Sequence, residues 1–356
     1  MAEPRESRPS GDVSADRSFA LESQEILECA RMRIAVTGSI ATDHLMVFPG
    51  TFSEQFVTDQ LDKVSLSFLV DQLDIRRGGV AANISFGLGS LGMNPVLVGA
   101  VGKDFADYRS WLERHGVDTR SVHVSETKHT SRFLCTTDRA QAQIATFYAG
   151  AMEEARDIEI QAVADRVGAL DLVIVAPNDP VAMVRHTEEC RARGIPFAAD
   201  PSQQLARMEG PDVRILVEGA AYLFTNEYET SLLLKATGWS EAEVLARVGY
   251  WVKTFGPDGV RVESKDTEPL AVPAVKVDDE VDPTGVGDAF RAGFLWGLHA
   301  QLGLERSAQV GCTLAAIVLE SVGTQEYTLD RADFSKRVAT TYGNDAAAEI
   351  ESKLRV

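Results

Sequence analysis

The sequence predicts an α/β protein: a central, mostly parallel β-sheet with helices on both faces, plus a small β-strand lid. Three observations carry this reading. From Ala151 onward, apolar strand-like runs alternate regularly with helical ones, the order of a parallel sheet covered on both sides. Two stretches, 45–77 and 121–150, read instead as half-exposed strands, which such a sheet does not accommodate. With 356 residues, 45% of them hydrophobic, the chain can bury a large core and still carry a second small unit. The expected division places 32–44, 78–120 and 151–356 in the α/β core and 45–77 and 121–150 in the lid. Residues 1–31, charged and interrupted by Pro, Gly and Ser, are expected to be a disordered extension, with Met32 as an alternative start.

The elements follow in order. Ile34 to Val36 is a short apolar strand ending in Thr-Gly-Ser, and ligands of open α/β sheets sit at the carboxyl ends of strands, so Asp43 is expected in a site loop. "KVSLSFLVDQL" (Lys63 to Leu73) alternates like a half-exposed strand. "GGVAANISFGLGSLG" enters a helix of small residues, "PVLVGAVG" is a buried strand, and "DFADYRSWLERHG" is a helix. Thr130 to Gly150 reads as a hairpin; a turn centred on Ala140 sets Phe133 opposite Phe147, a pairing that stabilises sheets. Thereafter "LDLVIVAPND", "IPFAADPS", "AAYLFTNEYE", "YWVKTFGPDGV" and "LAVPAVKVDD" supply strands. "PVAMVRHTEECRARG", "SAQVGCTLAAIVLESVG" and "AAAEIESKL" supply helices.

Composition excludes several classes. A formal net charge of −18 argues against a nucleic-acid binder, which needs clustered Lys and Arg. No apolar run approaches the roughly 20 residues of a membrane helix, and no secretory signal is visible, so a cytoplasmic protein is expected. The four cysteines are widely spaced, without a Cys-x-x-Cys pair, and read as reduced thiols. The six histidines show no metal-ligand spacing. "GLGSLG" (Gly87 to Gly92) matches a dinucleotide fingerprint but has no strand feeding it. "VGKD" lacks the first glycine of a Walker loop, and the "NIS" acceptor at Asn83 is accidental in a cytosolic chain.

The chemistry concentrates in "DPTGVGDAFRAGF" (Asp282 to Phe294). Glycines at a helix start present free N–H groups beside the positive end of the helix dipole, which makes an anion hole. Asp288 would lie in its first turn. A carboxylate repels a phosphate, so its presence calls for another task, such as taking a proton from an attacking hydroxyl. The plainer reading is an acid complementing the dipole beside a glycine turn. "TFGPDG" (Thr254 to Gly259) suits a nucleotide-supporting loop or an ordinary β-turn. "NEYE" (Asn226 to Glu229) offers an Asn for phosphate and a Glu for Mg²⁺ waters, or else a helix N-cap with acids in its first turn. "RRGGVAAN" (Arg76 to Asn83) permits close backbone approach to a ligand, or makes a tight turn.

Gly78-Gly79-x-x-x-Asn83 resembles the amino-terminal signature of the ribokinase family, the PfkB-type sugar and nucleoside kinases. Asp282-x-Thr284-Gly285-x-Gly287-Asp288 resembles its carboxyl-terminal signature. The order of the motifs matches as well, over Met32 to the C-terminus. Pro283 replaces the usual Thr and Val286 a usual small residue; both flank Gly285, Gly287 and Asp288. "AVTGSIATDHLM", "KVSLSFLVD", "FAADPSQQLAR" and "AAYLFTNEYE" resemble the adenosine kinases of actinobacteria in particular.

The resemblance implies transfer of the ATP γ-phosphoryl group to the 5′-hydroxyl of adenosine, giving AMP and ADP. Asp288 would be the base, with the amides of Gly285, Val286 and Gly287 as the anion hole. Asp43, Gly79 and Asn83 would hold the ribose, and Ser39, Ser67, Gln203, Gln204 and Arg207 would line the nucleoside pocket. Phe133 and Phe147 would enclose the purine. Asn226 and the loop Thr254, Phe255, Gly256, Pro257, Asp258 and Gly259 would hold ATP, while Glu229 orients hydrated Mg²⁺. Members of the family often dimerise through their lids, and many are activated by a monovalent cation such as K⁺. The alternatives are a sugar kinase such as a ribokinase, a kinase for another purine nucleoside, and a non-catalytic nucleoside-binding protein on the same fold.

Overall fold

A computed structural model describes residues 32–55 and 65–354 of the chain. Among these residues the strands form two sheets, of nine and of four strands. The larger has the order β13-β12-β11-β10-β9-β8-β1-β4-β5. Its strands are β1 (Ile34–Thr37), β4 (Val96–Val101), β5 (Val122–Val124), β8 (Leu172–Val175), β9 (Phe197–Ala199), β10 (Tyr222–Asn226), β11 (Tyr250–Thr254), β12 (Val260–Ser264) and β13 (Thr267–Val272). From β5 to β11 every pairing is parallel; β12 and β13 close one edge antiparallel.

Parallel strands covered on both faces have no solvent side, so they read as unbroken apolar runs. Every residue of β1, β4 and β8 is buried. Neighbouring residues of one strand serve opposite faces. Leu223 joins the core built with Met183, Val213 and Leu233, whereas Phe224 meets Phe294 edge-on at 5.5 Å on the other face. Helices therefore cover both faces, and the helix Val286–His299 is anchored to the sheet by Phe294. Its partner helix, Gly303–Leu319, approaches so closely that a Cβ on Gly293 would stand 2.7 Å from the Gly311 Cα.

The smaller sheet has the order β3-β2-β6-β7, from β2 (Ala41–Phe48), β3 (Gln72–Gly78), β6 (Ser131–Asp138) and β7 (Gln143–Tyr148). The hairpin register is the one read from sequence: Phe133 pairs with Phe147. Asp43, Arg76, Phe133 and Phe147 are cross-strand neighbours and so share a face. The opposite face carries Ile75, His44, Leu134 and Thr146, then Leu73, Met46, Thr136 and Ile144.

Several expected elements move. The strand read over Lys63 to Leu73 is not present at 65–70, which is irregular; Phe68 turns to Phe48 and Phe52 instead, and pairing begins at Gln72. Residues 63–64 of that reading, and the N-terminal extension over 1–31, lie outside the described residues. Asp43 lies on β2, not in a loop, because the chain enters the small sheet at Ala41. β5 falls within 121–150 yet pairs with β4 in the large sheet. The strand read in "LAVPAVKVDD" sits earlier, at Thr267–Val272, since Pro273 cannot donate to a ladder. Among the described residues no helix is long and apolar enough to cross a membrane, and Cys135, Cys190 and Cys312 are free thiols.

Candidate active site

Parallel strands bring their carboxyl ends to one edge. Thr37, Val175, Ala199, Asn226 and Thr254 all end strands there, and Asn226 and Thr254 are register partners. The loop Asp282–Asp288 is folded by its own first acid. Asp282 Oδ1 accepts from the Thr284 amide at 2.9 Å, Oδ2 accepts from the Gly323 amide at 3.0 Å, and Arg76 Nη1 stands 3.4 Å from Oδ2. Gly285 then takes φ 78°, a left-handed conformation that favours glycine, and the helix starts without a side-chain cap. The Val286 amide leans toward the Pro283 carbonyl at 3.4 Å, and the first helical bond runs from Ala289 N to Gly285 O at 2.9 Å. Among the described residues, the amides of Gly285, Gly287 and Asp288 meet no protein acceptor. Unpaired amides at the positive end of a helix dipole are suited to an anion.

Asp288 is half-buried in the first turn. Burial pushes its carboxyl up to about 6, opposed by the Arg291 guanidinium and by a 2.9 Å hydrogen bond from Asn83 Nδ2. Proton affinity in that range suits a base working near neutral pH.

Below this loop lies a cluster that sequence reasoning missed. Arg291 pairs with the fully buried Asp200 at 2.6 Å. Asp200 follows β9, and burial pushes its carboxyl up to about 7 against the pull of Arg291, with Glu229 and Asp288 adding to the rise. Among the described residues, Asp200 Oδ2 and Arg291 Nε are buried without a partner. Arg291 Nη1 occupies the space of a Gly287 side chain, 2.8 Å from where its Cβ would be. The signal was available: Arg291 stands three residues after Asp288 on the same helix face.

On the lid side, Gly79 has φ 93° and precedes the helix Val80–Ser90. Any Cβ there would stand 2.6 Å from both the Ala41 nitrogen and the Ser39 oxygen. Ser39 Oγ accepts from the Val80 amide at 3.0 Å, so its hydroxyl braces this junction. Asp43 reaches over Gly78: a Cβ on that glycine would stand 2.9 Å from Asp43 Oδ2. Burial pushes the Asp43 carboxyl up to about 6, with Arg76 opposing and Glu326 adding. Phe133 is half-buried and Phe147 is 43% exposed. Ser67 is exposed in the irregular stretch before β3.

On the far side, Asn226 and Glu229 form a reciprocal capping box. Asn226 Oδ1 accepts from the Glu229 amide, and Glu229 Oε2 accepts from the Asn226 amide, both at 2.8 Å. Glu229 Oε1 accepts from Ser202 Oγ at 3.0 Å. The two residues thus form the N-cap of the helix Glu227–Thr237, with acids in its first turn. Thr254, Phe255, Gly256, Pro257, Asp258 and Gly259 form a short turn closed by Phe255 N to Gly259 O at 2.8 Å. Gln203 and Arg207 are exposed, whereas Gln204 is buried and donates to the Asn178 carbonyl at 2.7 Å. The described residues hold no group of three acidic, His or Cys side chains arranged to cage a metal.

A model of the pfkB family of carbohydrate kinases matches residues 39–331. The chain belongs to the PfkB family. This family member is 30% identical over 293 residues to a nucleoside kinase of Methanothermobacter thermautotrophicus, covering 80% of this chain and 92% of that protein. It is 26% identical over 272 residues to the ribokinase of Bacillus subtilis, covering 75% and 89%. The solved structure of the Burkholderia thailandensis nucleoside kinase in complex with inosine is similar at 33% identity and a TM-score of 0.75, covering 87% of this chain and 98% of that one. A ribokinase from Thermotoga maritima, 20% identical with a TM-score of 0.70 and covering 86% and 99%, shares the ribokinase-like fold. In this PfkB-family chain, both family signatures meet at one point: Asn83 of the first hydrogen-bonds Asp288 of the second.

Proposed function

We propose that this chain is an ATP-dependent nucleoside kinase whose acceptor is the 5′-hydroxyl of adenosine, a reaction of purine salvage. The observation that carries the reading is the pairing of uncapped helix amides with the raised carboxyl of Asp288 at the carboxyl edge of the sheet. The amides of Gly285 and Gly287 would hold the charge of the transferred group, and Asp288 would take the hydroxyl proton. Bound ATP with Mg²⁺ supplies the electrophilic phosphoryl group and neutralises its charge. Asn226 and the turn Thr254–Gly259 would support the nucleotide. Glu229 would act on Mg²⁺ through water, which fits the rule that this ion keeps most of its waters.

The nucleoside part of the reading is supported by the row Asp43, Phe133, Phe147 on one lid face. Its aromatic members offer a flat base the stacking surface that a free sugar cannot use. Asp43, with Gly79 and Asn83, would bind the ribose hydroxyls, and Gln203, Gln204 and Arg207 would border the pocket. A relative 33% identical has been solved with inosine, which makes inosine the competing acceptor. A coupled ADP-release assay with ATP and Mg²⁺ against adenosine, inosine, guanosine, ribose and fructose tests both. Adenosine should have the highest kcat/KM; a preference for ribose would refute the nucleoside reading.

The opposite lid face supports a homodimer. Leu73 and Ile75 are 55% and 56% exposed there, and an apolar sheet face of this kind marks an interaction surface. Light scattering should give twice the chain mass, and Ile75→Asp should return it to a monomer.

A further inference from the structure

The Asn83 side chain is buried and engaged at both ends. Its Nδ2 donates to Asp288 Oδ2 at 2.9 Å, while its Oδ1 accepts from Gln325 Nε2 at 2.8 Å and from Thr324 Oγ1 at 2.9 Å. Gln325 is fully buried, and its Nε2 also donates to Tyr108 Oη at 2.5 Å. The Tyr108 hydroxyl in turn donates to the Gly78 carbonyl at 2.9 Å, where β3 meets the helix Val80–Ser90.

A side-chain amide turned by 180° exchanges donor and acceptor in nearly the same volume. Turned that way, Asn83 would present an oxygen lone pair to a carboxylate. Something must therefore decide its polarity. Thr324 does not, because its hydroxyl also lies 2.9 Å from the Arg77 carbonyl and can donate there instead. The chain through Gln325 does. A backbone carbonyl only accepts, so the single proton of Tyr108 is committed to Gly78. The Tyr108 oxygen then needs a donor, which forces Gln325 to present Nε2. That same Nε2 requires an acceptor from Asn83, which leaves Nδ2 for Asp288. Among the described residues the arrangement leaves Gln325 Oε1 buried without a partner, a cost expected only if the other end of the side chain is strongly constrained.

We infer that Gln325 is a positioning residue for Asp288: with Tyr108 it transmits the polarity of the Gly78 carbonyl through Asn83, so that an N–H faces the Asp288 carboxylate. The catalytic meaning of this relay rests on the reading of Asp288 as the base; its geometry does not. A hydrogen bond to the charged form lowers a carboxyl's proton affinity. The other charged or titratable groups facing Asp288 are Arg291 on its own helix, Asp200 after β9, Glu229 in the helix Glu227–Thr237, and Tyr327.

The test is a ¹³C NMR titration of the full chain labelled at aspartate, with the Asp288 signal assigned by Asp288→Asn. Gln325→Met, close in volume but without a donor, should raise the Asp288 midpoint by about one unit, the size of one hydrogen bond to a charged group. It should lower kcat at neutral pH more than it changes KM. In an Asn83→Ala background the same substitution should cause no further shift, because the relay is already cut. An unshifted midpoint in folded Gln325→Met, or the same shift in the Asn83→Ala background, overturns the inference. If Gln325→Met fails to fold, Tyr108→Phe, which removes one oxygen, must raise the midpoint or the inference falls. The titration decides the relay whether or not the wild-type chain phosphorylates a nucleoside; absence of turnover counts against the kinase reading alone.

Discussion

Two helices start at the carboxyl edge of the large sheet and treat their first-turn amides in opposite ways. At Glu227–Thr237 the chain satisfies its own helix: Asn226 and Glu229 exchange hydrogen bonds in a closed box. At Val286–His299 it does not: Gly285 has no side chain to offer, and among the described residues the amides of Gly285, Gly287 and Asp288 meet no acceptor. Both starts combine a small or polar residue with an acid, so both read alike as motifs. The difference teaches that an anion hole is recognised by the cap it lacks. A capped start is complete as a protein element; an uncapped one with a raised carboxyl beside it calls for a ligand.

The largest expected effect sharpens this contrast at the uncapped start. Asp288→Asn should lower kcat by roughly 10²–10⁴-fold, the range of a general base, with little change in the KM for ATP. Near-normal steady-state turnover would remove Asp288 from that role.

The next effect concerns the charge beneath the loop. Arg291→Met leaves Asp200, Glu229 and Asp288 without their shared cation, and breaking a buried pair costs about 3–5 kcal/mol. Chemical denaturation should record that loss. The pH profile should record a second effect, whose sign follows from the raised acid. A base must be deprotonated, so kcat/KM of the wild type should rise with pH through about 6 and then level off. Arg291 lowers the Asp288 midpoint, so its removal should move this limb to higher pH; a limb that stays in place would contradict the coupling.

The smallest effect tests the capped start. Asn226→Ala should cost about 0.5–2 kcal/mol of stability through the lost cap. Turnover at saturating ATP should change far less than in Asp288→Asn. A kcat loss as large as that of Asp288→Asn would erase the distinction between the two helix starts.

Much of the architecture was legible without coordinates. Buried parallel strands announce themselves as apolar runs, as in Leu172–Val175, and the alternation with helices implies their order. A turn placed at Ala140 was enough to set the Phe133–Phe147 register. Local signals failed where tertiary contacts outweighed them. "SLSFLV" has the period of a strand, yet Phe68 is drawn to Phe48 and Phe52. The helices Gly210–Val217 and Arg331–Tyr342 were not foreseen, and both are short or polar enough that packing, not pattern, stabilises them.

For this protein, then, the amino-acid order by itself determined the layered α/β plan, the glycine-rich helix start and the identity of the acid within it. These depend on backbone permissiveness and on apolar periodicity, which act between residues close in the chain. Only the tertiary structure decided that Asp200 lies beneath Arg291, that Asn83 faces Asp288, and that Gln325 and Tyr108 stand behind it. Those contacts join residues up to 242 positions apart, and a hydrogen bond or ion pair requires atoms within a few ångströms, a distance that one-dimensional spacing does not contain.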